Sequence, residues 1–205
     1  MKKRELIIFV IIMFVTLISL FFDSQISRGV SLIRNNFLTE ILLGITFVSS
    51  EIIIFFFLTS LFLWKEQKRK YILPLWFSLG LSAIVSLLLK IIVHRLRPFQ
   101  LGIASLLPIL ESVNYFPWDF SFPSFQAMLA FCAIPILSKE FPKFKYVWIV
   151  IASLVAFSRV YFGLHFLSDV LVGALIGYFI GLVVLRLEEK SKFFDNIYRK
   201  MFRKK

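Results

Sequence analysis

Ser158-Arg159-Val160-Tyr161-Phe162-Gly163-Leu164-His165-Phe166-Leu167-Ser168-Asp169 joins two apolar runs, 146–162 and 168–186, and sets an arginine, a histidine and an aspartate at their facing ends. Each run is near the ~20 residues that a helix needs to cross a bilayer core, so the segment reads as a polar hinge between two spans. Charge at the end of an apolar run is costly and marks the place to look for chemistry. A histidine and a carboxylate four residues apart share a face where the chain is helical. The carboxylate then holds one ring nitrogen and aims the other, so His165 and Asp169 are expected to be a nucleophile or base with its orienting partner.

Working outward, four further apolar runs at about 5–22, 40–64, 71–93 and 123–138 complete six expected transmembrane helices. The fold class is all-α, a polytopic membrane bundle in one domain covering residues 1–205. A 59% hydrophobic content and a mean hydropathy of +0.85 exclude an ordinary soluble domain. The lone cysteine, Cys132, sits inside an apolar run, which excludes an internal disulfide and a cysteine metal site. Met1–Arg4 and the run that follows lack a small-residue cleavage site before Asp23, so they read as an uncleaved anchor.

The net charge of +12 is topological and calls for no nucleic acid. Eighteen Lys and Arg residues fall on one side of the six spans and six on the other, Arg28, Arg34, Lys90, Arg95, Arg97 and Arg159. The positive-inside rule then puts both termini in the cytoplasm, with residues 188–205 as a basic tail lying on the anionic leaflet. Four of the six outer basic residues lie in or beside polar clusters, where an ordinary outer loop has no need of them. Glu51 sits within the second span, where a carboxylate is costly.

One such cluster is Lys90-Ile-Ile-Val-His94-Arg95-Leu-Arg97-Pro98 at the end of the third span. Lys90, His94 and Arg97 at i, i+4 and i+7 predict one helical face that attracts an anion. Another is Phe122-Pro123-Ser124-Phe125-Gln126, where Pro and Ser open an apolar run. That is helix N-terminus chemistry, and the N–H groups of Phe125 and Gln126 with the Ser124 hydroxyl suit a phosphate. Phe99–Phe122, with its aromatic and apolar residues, is expected to be an interfacial loop or a lid beside a lipid.

These elements, in this order, resemble the type 2 phosphatidic acid phosphatase family of membrane lipid phosphatases. Its pattern is Lys-x6-Arg-Pro, Pro-Ser-Gly-His and Ser-Arg-x5-His-x3-Asp. Lys90–Pro98 and Ser158–Asp169 match in full, whereas the middle element keeps only Pro123-Ser124, with Phe125 in place of glycine and Gln126 in place of histidine. The resemblance implies a phosphate site at the outer ends of spans three to six, with Lys90, Arg97, Ser124, Phe125 and Arg159 on the phosphate. It implies that His165 attacks phosphorus to form a phosphohistidine, held in its nucleophilic tautomer by Asp169, with no metal or other cofactor.

The family's middle histidine protonates the leaving oxygen, which a neutral glutamine amide cannot do. Losing a general acid costs on the order of 10²–10⁴ in rate. A diphosphate suffers less, because its leaving group is a phosphate monoester with a second pKa near ~6. The expected activity is therefore metal-independent hydrolysis of a polyprenyl diphosphate to the monophosphate on the outer face. His94 is the second candidate acid. The alternatives are a phosphotransferase on the same scaffold, or a catalytically impaired protein that binds a lipid phosphate. The partners implied are membrane lipids and a lipid phosphate substrate.

Overall fold

The protein is a computed structural model, described over residues 3–64, 66–106 and 120–202, with side chains described between residues 10 and 200 of these. Its helices are α1 Lys3–Leu32, α2 Asn36–Val48, α3 Glu51–Leu63, α4 Ile72–Val93, α5 Phe125–Glu140, α6 Lys145–Tyr161, α7 Leu167–Ser191 and α8 Phe193–Phe202. Short 3-10 turns at Glu66–Tyr71 and Pro142–Phe144 link α3 to α4 and α5 to α6.

Polarity is distributed opposite to that of a soluble bundle. Thr16, Ser19, Asp23 and Ser27 form one buried stripe along α1, and Ser78, Ser82 and Ser86 another along α4. Large apolar side chains on the same helices face outward, among them Phe14, Phe21, Leu87 and Ile92. Lipid tails are as apolar as leucine, so helices in a bilayer associate through small and polar residues and turn bulky ones to the lipid. The chain is a multi-pass membrane protein on this evidence.

α5 is the central helix, buried along most of its length from Ala127 to Leu137. α7 packs against it through Gly173, Gly177 and Gly181, one residue per turn along one face. A Cβ built on Gly177 falls 2.2 Å from the Met128 carbonyl oxygen, and one on Gly181 falls 2.0 Å from that of Cys132. Only a hydrogen fits there, so α7 lies directly on the backbone of α5. This contact sets the N-terminus of α5 beside the N-terminus of α7, and the polar clusters meet there.

Several expectations are corrected. The first helix does not stop at residue 22 but runs to Leu32, because its polar stripe continues through Asp23 and Ser27 against the rest of the bundle. The second span is broken: α2 ends where the Ser49 N–H bonds back to Ile45 O at 2.8 Å, Ser50 takes an extended conformation, and α3 leaves at 68°. Among the described residues, four single helices are long and apolar enough to cross a membrane, or five spans if the bent pair is one. The fourth expected span, 123–138, falls on α5, whose 16 residues reach only about 24 Å of a core ~30 Å thick.

The basic tail does form a helix, α8, but it is tied to the bundle. Glu188 accepts the Phe194 and Asp195 N–H groups at 2.8 and 3.1 Å, and the buried Phe194 ring packs on Phe77 at 5.3 Å. Most of the expected lid, from 107 to 119, lies outside the described residues.

Candidate active site

His165 is not on a helix. After α6 ends at Tyr161 the chain turns through Gly163 at φ +71°, and the Leu164 and His165 N–H groups both return to the Arg159 carbonyl at 3.1 and 3.2 Å. The hinge thus folds back over the end of α6 and buries the imidazole. Asp169 lies in the first turn of α7, where Oδ2 accepts the Phe166 N–H at 2.8 Å. The four-residue spacing therefore does not act as a helical one.

The Asp169 carboxylate also does not hold the ring. Its Oδ2 stays 3.9 Å from His165 Nδ1, and the partner of Nδ1 is the Ser121 carbonyl oxygen at 2.7 Å. On the other edge, Arg97 Nη1 is 3.3 Å from Nε2. A carbonyl only accepts and a guanidinium only donates, so these partners assign the proton to Nδ1 and the lone pair to Nε2. Burial lowers the His165 pKa well below its usual 6.5, and the charges of Arg97, Lys90 and Arg159 lower it further, against the opposing Ser121 hydrogen bond. The ring is a neutral base facing a cationic pocket.

The cations arrive differently from the expected helical face. α4 ends at Val93 and His94 turns left-handed at φ 52°, so Arg97 leaves the helix on which Lys90 sits. Arg97 is nonetheless buried beside the ring, with Nη1 also donating to Leu164 O at 3.0 Å. Lys90 donates to the Phe120 carbonyl, and Arg159 is buried at the end of α6. His94 is exposed, its ring edge-on to Phe120 at 4.6 Å between centroids.

Ser124 caps α5 and is fully buried. Its N–H is used by the Asp169 carbonyl at 3.0 Å, while its hydroxyl has no hydrogen-bond partner among the described residues. A buried orphan hydroxyl beside first-turn N–H groups suits an anion. Gln126 donates through Nε2 to Glu51 Oε1 at 3.0 Å, which brings the bend between α2 and α3 to the same end of α5. Among the described residues no group of three or more His, Cys, Asp or Glu is placed to hold a metal ion.

Three residues of the site carry no assigned role in the sequence reading. Arg95 donates at 2.7 Å to both Asp169 Oδ1 and Asp23 Oδ2, and its guanidinium lies 4.1 Å from the Phe166 ring centre. Asp23, buried on α1, also receives the Ser168 N–H at 3.0 Å. Ser121 gives its hydroxyl to Asp169. A carboxylate following the first apolar run was the available signal for Asp23. Ser121 offered none, since its role comes from its backbone.

The geometry has relatives. Residues 71–193 match the model of the PAP2 superfamily. The chain belongs to that superfamily. The PAP2 chain is 31% identical over 187 residues to phosphatidylglycerophosphatase B of Bacillus subtilis, spanning 84% of this chain and 86% of that protein. It is 31% identical over 131 residues to undecaprenyl-diphosphatase of Sulfolobus acidocaldarius, spanning 63% and 61%. The solved PAP2 type phosphatidylglycerolphosphate phosphatase of Bacillus subtilis superposes with a TM-score of 0.68 at 26% identity, covering 89% of this chain and 96% of that one. Aquifex aeolicus LpxE superposes with a TM-score of 0.62 at 30% identity, covering 79% and 93%.

As a PAP2 member the protein is a hydrolase of lipid phosphates. Its site has what that chemistry asks for. Cations and N–H donors can neutralise non-bridging oxygens, and one unprotonated ring nitrogen faces them.

Proposed function

We propose that this PAP2 protein cleaves a polyprenyl diphosphate to the monophosphate at the outer membrane face, through a phosphohistidine at His165. Lys90, Arg97 and Arg159 bind the non-bridging oxygens of the terminal phosphate, with the Ser124 hydroxyl and the Phe125 and Gln126 N–H groups. His165 Nε2 attacks phosphorus, the phosphorus–oxygen bond to the lipid monophosphate breaks, and that monophosphate departs with the bond's electron pair. Water then attacks the phosphohistidine, releasing inorganic phosphate and restoring the neutral ring.

The observation that carries the choice of substrate is Gln126. Its amide is a donor to Glu51 and has no proton to transfer. A lipid monophosphate leaves as an anion near neutral pH, whereas the alcohol of phosphatidic acid does not. An apolar cavity of ≈ 440 Å³ between the α2–α3 bend, α5 and α6 supports a hydrocarbon tail. Ala130, Ala133 and Leu137 of its lining share one face of α5 with Gln126, at i+4, i+7 and i+11.

The test is phosphate release by detergent-purified protein from polyprenyl diphosphate, phosphatidic acid and phosphatidylglycerophosphate, in chelator, with His165→Ala as control. Release favouring the diphosphate, and lost in the variant, is the expected result. Faster cleavage of either monoester overturns the substrate, and activity in His165→Ala overturns the nucleophile. Transfer of the phosphoryl group to an added alcohol in preference to water would make the protein a phosphotransferase.

A further inference from the structure

The last turn of a helix leaves four carbonyls to satisfy. At the end of α6 the hinge returns to three of them. Phe162 N–H bonds to Ser158 O at 3.0 Å, Gly163 N–H to Val160 O at 3.0 Å, and the Leu164 and His165 N–H groups to Arg159 O. The fourth carbonyl, that of Tyr161, takes Nε of Arg34 at 2.8 Å. Arg34 comes from the short connection between α1 and α2, and its charge sits well at the negative end of the α6 dipole.

Another edge of the same guanidinium reaches the loop that follows α4. Nη1 donates to Ser105 O at 2.6 Å and stands 3.2 Å from Ser105 Oγ. That loop is folded on itself from Arg97 onward, with Leu101 N–H on Arg97 O at 3.2 Å and Ile103 N–H on Pro98 O at 3.0 Å. Nη2 is buried under Gly163, where a built Cβ would meet it at 3.3 Å, so the side chain is closed off from substrate. Arg34 is itself held in place, because the Asn35 N–H donates to the Tyr161 hydroxyl at 3.2 Å and Thr39 Oγ1 meets that hydroxyl at 2.8 Å. One side chain thus joins the segment that carries Arg97 to the segment that carries Arg159 and His165.

We propose that Arg34 is a positioning residue for the reaction. Its guanidinium clamps the end of α6 to the loop after α4 and so sets the placement of Arg97 relative to Arg159 and His165. This rests on Arg97 and Arg159 as the phosphate cations and on His165 as the nucleophile. The direct backbone bond across the joint, Phe99 N–H to Gly163 O, is long at 3.3 Å, which leaves the alignment to the clamp. A planar fork fixes two acceptors at once, whereas a lysine ammonium is a single point charge on a flexible stem. Misplacing reacting groups by about 1 Å costs up to about 10²-fold in rate.

The experiment measures kcat, KM and melting point for wild type, Arg34→Gln, Arg34→Lys, Arg97→Lys and the double variant Arg34→Gln/Arg97→Lys. The substrate is whichever of polyprenyl diphosphate and phosphatidic acid the wild type cleaves faster. Arg28→Gln, which removes an exposed charge from α1, is the control for the general field of the outer face. The expected result is a kcat lowered by up to about 10²-fold in Arg34→Gln, with Arg34→Lys between it and wild type. In the Arg97→Lys background the same change costs much less, since the placement it serves has already been lost. Arg28→Gln keeps the wild-type rate.

Wild-type kcat in Arg34→Gln overturns the proposal, as does an equal loss in Arg28→Gln. So do losses that simply multiply in the double variant, or a rate that returns to wild type at temperatures where Arg34→Gln is fully folded, both of which are what a merely structural role gives. If the Arg34 variants fail to fold, Tyr161→Phe carries the test. It removes only the hydroxyl that holds the α1–α2 connection, and its kcat is expected to fall by up to about tenfold, the worth of one hydrogen bond; a wild-type rate there overturns the clamp. His165→Ala separates the two readings: activity in that variant defeats the nucleophile, whereas an inactive His165→Ala beside a fully active Arg34→Gln defeats only the positioning.

Discussion

At the scale of single residues, the neutral His165 makes a prediction with a definite sign. Its pKa is held well below 6.5, so the proposed nucleophile remains a free base as pH falls through 6.5, and the acid limb of kcat/KM is expected below that value. Stability follows the same linkage. Between the lowered value and 6.5 the unfolded chain binds a proton that the folded chain does not. The contribution is thus full above 6.5 and is lost as pH falls toward the folded value, a slope that His165→Gln should remove in melting curves. Gln126→His is expected to raise turnover of phosphatidic acid relative to a polyprenyl diphosphate, by up to about 10²–10⁴. An unchanged ratio of kcat/KM for the two lipids would show that the amide does not set the preference.

At the scale of elements, the contact of α7 on α5 is the joint that aligns the site, since α7 carries Asp169 and α5 carries Ser124. Gly177→Ala puts a methyl 2.2 Å from a backbone oxygen, and overpacking of this kind costs about 1–3 kcal/mol. Gly80→Ala is the control: nothing lies within 4 Å of its built Cβ, and alanine is favoured over glycine in a helix interior by up to about 1 kcal/mol. The expected result is a lowered melting point and lowered activity in the first variant, with neither in the second. Equal melting points would mean that the two helices can separate without loss. Most helices were legible from apolar length, as α4 and α6 show. The break at Ser49-Ser50 was not, although Ser49-Ser50-Glu51 interrupts the apolar run with residues that favour a helix start, because apolar length alone does not announce a 68° bend. The end of α4 at Val93 was missed for a related reason: the spacing of Lys90, His94 and Arg97 fits a helix that a left-handed His94 has already ended.

At the scale of the whole molecule, the charge asymmetry of the loops leads us to propose cytoplasmic termini and an outward-facing site. In a Cys132→Ala background, a membrane-impermeant thiol reagent on intact cells is expected to label Ser105→Cys and to spare Lys143→Cys, both at exposed positions. The reverse pattern would turn the protein over and put the site in the cytoplasm. The sequence by itself determined the membrane-helical class and the clustering of Lys90, Arg97, Arg159 and His165 at the ends of apolar runs, because apolar length and charge are local properties that survive any packing. Only the tertiary structure decided what aims His165. Ser121 acts through a backbone carbonyl that every residue possesses, and Asp23 meets Arg95 and Ser168 from positions 72 and 145 residues away in the chain. Such contacts are created by the folding of α1 and the hinge onto the bundle, and no spacing along the chain encodes them.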